Sequence, residues 1–544
     1  MTITFEMLLA ADGAAYSRSG VMWDQLGRSL DGHADNLAVT VRKLPDVWES
    51  GPAATAATAH CDGLRKETDS TYRPVLAIAQ ALAQHGDGVA ALRAQAEALI
   101  IEGRRLRVLV GPDGSLTMDP DYPDVGTARA LTTLAERRDE ILRRAADLDA
   151  RTAKLIAENT ASASGAPAAR VDRTSVPPKG TDPATVKKWW DSLTPAQRRY
   201  VTTEYPDLIG NLDGVPVSNR DMANRIVLDR DHDTLTARRA ELEAREAHIR
   251  ALLDQGRGRE LYPGSTNPTG MAFAELDRIR AERAEADGTL RGIERISQRL
   301  ADPTKPRAYL IGFSSADDGR AIVSVGNPDA ANNVLTWVPG TGAELSKIGG
   351  DIIRTDRMAE DARKADPTRE TAVLLWLGYD APDSIPEAAQ DKYADNGAPD
   401  LSRFQNGLRV THDDEPSRNV VLGHSYGSTV IGHTVTGPGI NANDLIFLGS
   451  PGVDVNSVND LNGFPPDRVW ASRAEHDMIK RIPDWDLAHG NDPTRDDFGA
   501  RTFRSDPGDP DNEGKTHSAY WDEGNEARLN VSRIVTGKHD EVTR

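Results

Sequence analysis

The stretch NVVLGHSYGSTVIGHTV, Asn419–Val435, decides how the rest of this chain is read. Its first four residues form an apolar, β-branched run of the kind that makes a buried strand. STVIGHTV, from Ser428, can continue as a helix. Between them Gly423-His424-Ser425-Tyr426-Gly427 fits a G-x-S-x-G corner, which lifts a serine hydroxyl clear of a sheet edge on a sharp strand-to-helix turn. Glycines on either side allow the backbone an approach that a side chain would block. Five residues alone are a weak pattern. Their fall on a strand–helix junction gives them weight, and Ser425 is the candidate nucleophile.

Working outward, short apolar runs recur from Pro306: AYLIGF, RAIVSVG, NVLTWVPG, TAVLLWLG, NVVLGHS, DLIFLGSPG, RVWASRA and ARTFRS. Helix-like stretches separate several of them. Strands alternating with helices predict an α/β fold, a mostly parallel sheet with helices on both faces. VLLWL and LIFLG do not alternate, as expected of strands buried on both sides. The fold expected of residues 305–544 is the α/β-hydrolase fold.

Residues before this sheet read as a large all-α region. Residues 1–160 carry apolar positions at three- and four-residue spacing, broken at Pro45–Gly51 and at a short hairpin or loop from Gly111. Residues 161–181, with SASGAPAARVDRTSVPPKG, read as a linker. Residues 182–304 hold a motif-rich block and then two charged amphipathic runs, about Asp231–Leu253 and Phe273–Leu300. The Gly/Pro loop between them predicts an antiparallel helical hairpin, whose use as a lid is left open.

A nucleophilic serine needs an acid, a histidine and an oxyanion hole, with the triad in the order serine, acid, histidine. Asp477 follows the strand RVWASRA and is the chosen acid. Glu475 competes, and Asp484 and Asp486 are weaker alternatives. His517, in GKTHSAYWDEG after the last strand-like run, is the chosen base, with His489 as the alternative. His424 is too close to the serine and suits capping or packing; His433 belongs inside the helix. Oxyanion donors are expected from the backbone of Tyr426 and from Gly340 or Thr341, in the VPGTG loop Val338–Gly342. The chemistry expected is acyl transfer through a covalent intermediate on Ser425, without metal or organic cofactor.

Composition narrows the field further. The 544 residues carry a net charge of −19, which argues against non-specific nucleic-acid binding. Cys61 is the single cysteine, so neither an internal disulfide nor a multi-thiolate zinc site can form. The sequence has no basic n-region before an apolar segment, no run near the roughly 20 residues that span a bilayer, no phosphate-loop motif and no His-Glu-x-x-His motif. A soluble protein is expected.

VPGTG, WLGYDAP (Trp376–Pro382), GHSYGS and FLGSPG together resemble a family of actinobacterial α/β-hydrolases defined by an uncharacterised domain. Trp189-Trp190, Pro206, IGNLDGVP (Ile209–Pro216) and Arg220-Asp221-Met222-Ala223-Asn224-Arg225 resemble the segment preceding the core in the same family. The resemblance implies a triad of Ser425, Asp477 and His517, and supports the reaction class rather than a substrate; the ordered triad on strand ends itself points to a small-molecule carboxylic ester, lipid-like acyl esters included. The N-terminal region is similar to WxG-type helical hairpins of type VII secretion, through Trp48 and Gly51, with one extra residue between them. Tyr200–Glu204 fits a Tyr-x-x-x-Asp/Glu export signal. These features imply a protein partner for the N-terminal helices, and either a cytoplasmic location or export without a signal peptide. The competing reading is a secretion-linked scaffold whose hydrolase fold is catalytically silent.

Overall fold

All eight apolar runs become strands of one sheet: β1 (Ala308–Ser314), β2 (Arg320–Val325), β3 (Asn333–Val338), β4 (Thr371–Leu377), β5 (Arg418–His424), β6 (Asp444–Leu448), β7 (Val469–Ser472) and β8 (Arg501–Thr502). The structure is a computed structural model describing residues 3–24, 26, 52–119, 125–162, 171–412, 415–481 and 488–544. Strand order is β8-β7-β6-β5-β3-β4-β2-β1. Pairing is parallel except where β2 runs antiparallel between β1 and β4.

Alternate residues feed two separate cores. Leu335, Trp337, Val373, Leu375, Val420, Leu422 and Ile446 pack with the helices Ile348–Ala365 and Glu526–Val535 on one face. Val334, Val338, Leu374, Trp376, Val421 and Phe447 pack with Lys392–Thr411 and Tyr426–Thr436 on the other. Both sides of each central strand are therefore dry, which is why these runs are continuously apolar. From β3 the chain goes to β4 on one side, while β5 lies on the other. That reversal opens a crevice at the carboxyl ends of the strands, where open α/β sheets build their sites.

The motif block ahead of the sheet covers its β1 edge. Asn211 exchanges two bonds with the backbone of Phe313, at 2.8 and 2.9 Å. Asp221 accepts from Leu310 N at 2.7 Å, and Asn224 donates to Leu310 O at 3.0 Å. Side chains thus occupy edge groups that would otherwise invite another strand.

The charged runs form the expected hairpin, from helices Val217–Asp254 and Pro268–Ala301. Arg245–Glu275 and Arg238–Glu282, both 2.8 Å, pair across it in antiparallel register. The first helix begins earlier than its charged stretch suggests, because SNRDMANR is helical as well. Its inner end joins the sheet core through Val227 and Leu228, while Leu242, Ile249, Leu276 and Ile279 form a separate cluster further out.

The chain divides into two compact units: described residues up to Val171 with Leu193–Tyr200, and Asp172–Ser192 with the described residues of Val201–Arg544. In the first, helices Pro52–Arg105 and Val125–Ser162 run antiparallel, with Arg137–Glu102 at 2.7 Å and His85–Thr152 at 3.0 Å. The Gly111 break is a two-stranded hairpin, Val108–Val110 with Leu116–Met118. Trp48 and Gly51 lie outside the described residues, and Tyr200–Glu204 falls in the helix Pro195–Glu204. Among the described residues no helix is long and apolar enough to cross a membrane.

Candidate active site

Ser425 stands between β5 and the helix Tyr426–Thr436 with φ 54° and ψ −130°. A non-glycine residue in this region costs of order 1–3 kcal/mol and persists only where its surroundings enforce it. Here Ser425 N donates to Leu448 O on β6 at 3.0 Å, and Ser428 N donates to Ser425 O at 2.9 Å. A Cβ at Gly423 would lie 2.6 Å from Ser428 N, and one at Gly427 would lie 2.1 Å from Val338 O. Both glycines of the motif are therefore required by close backbone approach.

The loop after β3 lies directly against this corner. A Cβ on Gly340 would meet Ser425 Cβ at 2.7 Å and Tyr426 N at 2.9 Å. Tyr426 is the first residue of its helix, so its N–H has no intrahelical acceptor and sits at the positive end of the dipole. Thr341 follows at the half-exposed part of the loop. WLGYDAP braces the same loop: Tyr379 Oη donates to Pro339 O at 2.7 Å, and Gly342 N to Pro382 O at 2.8 Å.

His517 and Asp477, 40 residues apart, meet through a 2.7 Å contact between Nδ1 and Oδ1. Asp477 is buried after β7; it also accepts from Ile479 N at 2.8 Å and from Tyr520 Oη at 2.5 Å. Burial pushes its pKa upward. The His517 bond and charge, then the Tyr520 and Ile479 bonds, outweigh that and hold the carboxyl below its usual range. A Cβ on Gly449, just after β6, would lie 2.9 Å from Asp477 Oδ2 and 3.2 Å from His517 Cε1. Since the preceding Leu448 holds Ser425 N, the serine, imidazole and carboxylate share the carboxyl edge of β5, β6 and β7. The Ser425 hydroxyl makes no hydrogen bond among the described residues, so the serine–imidazole link is open in this structure.

His424 has a more specific position than general packing. Its Nε2 lies 2.7 Å from His517 O, and the two rings are 4.8 Å apart. Burial first, then the charges of His517 and Arg354, push its pKa well below the ordinary value, so the ring is neutral and donates from Nε2. His489 is fully buried with Nε2 2.6 Å from Ala388 O, and it stacks edge-on against Tyr426. His433 bonds Asp395 at 2.9 Å. Glu475 is exposed, and Asp484 and Asp486 lie outside the described residues.

Tyr520 escaped the sequence reading. It donates to Asp477, accepts from Ala474 N at 3.0 Å, and is 1% exposed. Its position three residues after His517 is the sole local signal, and a tyrosine there reads equally well as core. Among the described residues no group of three or more His, Cys, Asp or Glu is arranged to hold a metal ion.

Residues 314–487 match the family described as alpha/beta hydrolase. An uncharacterised protein of Mycobacterium tuberculosis (strain H37Rv) is 31% identical over 398 residues, 67% of this chain and 57% of the relative. The chain thus spans a little over half of that relative's length. An uncharacterised protein of Mycobacterium bovis is 30% identical over 190 residues, 33% of this chain and 71% of the relative. The strand order, the serine corner and these similarities converge, and the chain belongs to the alpha/beta hydrolase family.

Proposed function

We propose that the protein is a serine hydrolase that cleaves carboxylic esters through an acyl-enzyme on Ser425. The observation that carries this reading is the pairing of a strained serine corner with a buried Asp477–His517 bond of 2.7 Å at the same sheet edge. With Nδ1 engaged by the carboxylate, His517 keeps Nε2 for proton exchange. It takes the serine proton as Oγ attacks the ester carbonyl, then gives it to the leaving alcohol. Asp477 holds the tautomer and stabilises the imidazolium. Water repeats the sequence on the acyl-enzyme and releases the acid. The developing oxyanion is met by the N–H of Tyr426 and that of Gly340 or Thr341. An open serine–imidazole link is common before substrate binds, since catalytic hydrogen bonds tighten in the complex.

A fluorophosphonate probe tests this directly. Labelling is expected in the native chain and absent in Ser425→Ala, with ester turnover lower by at least about a thousandfold. Persistent labelling of the variant would remove the proposal.

A further inference from the structure

A second feature on the same edge of the sheet belongs to none of this chemistry. A cavity of about 240 Å³ opens among the end of β1, the start of β2, the end of β4 and the helix Lys392–Thr411. Because β2 runs antiparallel, its first residue, Arg320, points from the carboxyl edge, the edge that carries Ser425. Stepping from β5 across β3 to β4 and β2 covers two to three strand spacings, roughly 10–15 Å at about 4.8 Å each.

Four cationic side chains line this cavity: Lys179, Arg220, Arg320 and Arg403. Three carboxylates line it too, and two of them are taken: Asp213 by Arg220 at 2.9 Å, and Asp400 by Arg403. Asp317 sits exposed on the β1–β2 turn. Among the described residues neither the Lys179 ammonium nor the Arg320 guanidinium makes a hydrogen bond or ion pair. The two stand close enough to oppose each other: partial desolvation, then the charges of Arg320 and Arg403, lower the Lys179 pKa, against Asp213 alone. Four cations against three carboxylates leave the lining net positive, and Lys179 and Arg320 without hydrogen-bonded or ion-paired partners beside Trp376, Phe313 and Phe404 suit an oxyanion on an apolar body.

We propose that this cavity is a subsite for a carboxylate or phosphate group. Resting on the hydrolase reading, the ligand is an ester substrate whose far end is anionic and whose carbonyl reaches Ser425. Arg320 is the main anion ligand, as a fork-shaped donor without a protein partner, and Lys179 supplies a second charge at the mouth.

Two arms of one experiment separate the subsite from the hydrolase reading. Calorimetric titration of the full chain with inorganic phosphate and with decanedioate reads binding without turnover. Both anions should bind, and Arg320→Ala should weaken each by about tenfold or more, with Arg320→Lys retaining part of the affinity. The affinity should also fall as ionic strength rises. Kinetics of the mono-p-nitrophenyl ester of decanedioic acid against p-nitrophenyl decanoate then identifies the source of the anion. A KM advantage for the anionic ester that vanishes in Arg320→Ala and Lys179→Ala supports a substrate subsite. Phosphate binding lost in those variants, without such an advantage, supports an oxyanion site filled by a free ion and overturns its role for substrate. No binding of either anion at millimolar concentration, or binding unchanged in Arg320→Ala, overturns the subsite itself, whatever becomes of the esterase activity.

Discussion

Asp477 shows how one carboxylate is fitted to a histidine. Buried and alone it would resist ionisation; three donors converge on it and reverse that tendency. Tyr520 supplies one of them; in the proposed mechanism it touches no reacting atom, so its role there is that of a positioning residue. Tyr520→Phe should lower kcat by about tenfold while leaving KM nearly unchanged, in line with losing a hydrogen bond to a charged group. A structural defect alone would not alter acid behaviour, but loss of this donor should. Asp477 has a native pKa below its unfolded one, so its contribution to stability is complete above the unfolded value, about 4. That contribution is lost as pH falls through the lowered native value. In Tyr520→Phe the native value rises toward the unfolded one, so the pH-dependent loss should be smaller and should be complete at a higher pH, visible in melting temperatures measured across pH 2 to 5.

At the scale of elements, the candidate active site is a contact between two loops and a helix start. The VPGTG loop after β3 and the corner after β5 pack with no room for a side chain between them. Gly340→Ala and Gly427→Ala should therefore fail in different ways. The added methyl at Gly427 meets the backbone oxygen of Val338 at 2.1 Å and would force strand and helix apart. Destabilisation of about 1–3 kcal/mol or more is expected, read as a lower denaturant midpoint. At Gly340 the methyl meets Ser425 Cβ and Tyr426 N. Turnover should fall with a smaller loss of stability, since a short loop can shift where a central strand cannot. WLGYDAP braces that loop through Tyr379 and Pro382, which gives a physical reason for two separated motifs to occur together.

On the scale of the whole molecule, buried neutral histidines set an acid limit well above that of the carboxylates. His424 and His489 in the sheet unit and His85 in the helical unit all have pKa values lowered first by burial. Each unfolded counterpart gains a proton near its ordinary value of about 6.5, while the native form resists it. Stability should therefore decline as pH falls below about 6.5, and His85→Asn and His424→Asn should each flatten part of that slope in chemical denaturation. The eight strands, the parallel α/β class, the serine corner and the charged hairpin were legible in the amino-acid order, because each depends on local periodicity and on glycines a few residues from the bend. The start of the first hairpin helix was not, since SNRDMANR carries no amphipathic stripe and is held by its bonds to the β1 edge. Nor was Tyr520, whose phenol acquires meaning only beside a carboxylate 43 residues away. Order along the chain thus determined the kinds of element and the residue at their sharpest turn. Tertiary structure decided that Asp477 and not exposed Glu475 faces His517, and that Lys179 and Arg320 share a cavity: such pairings depend on how distant loops pack over one sheet edge, which no local pattern encodes.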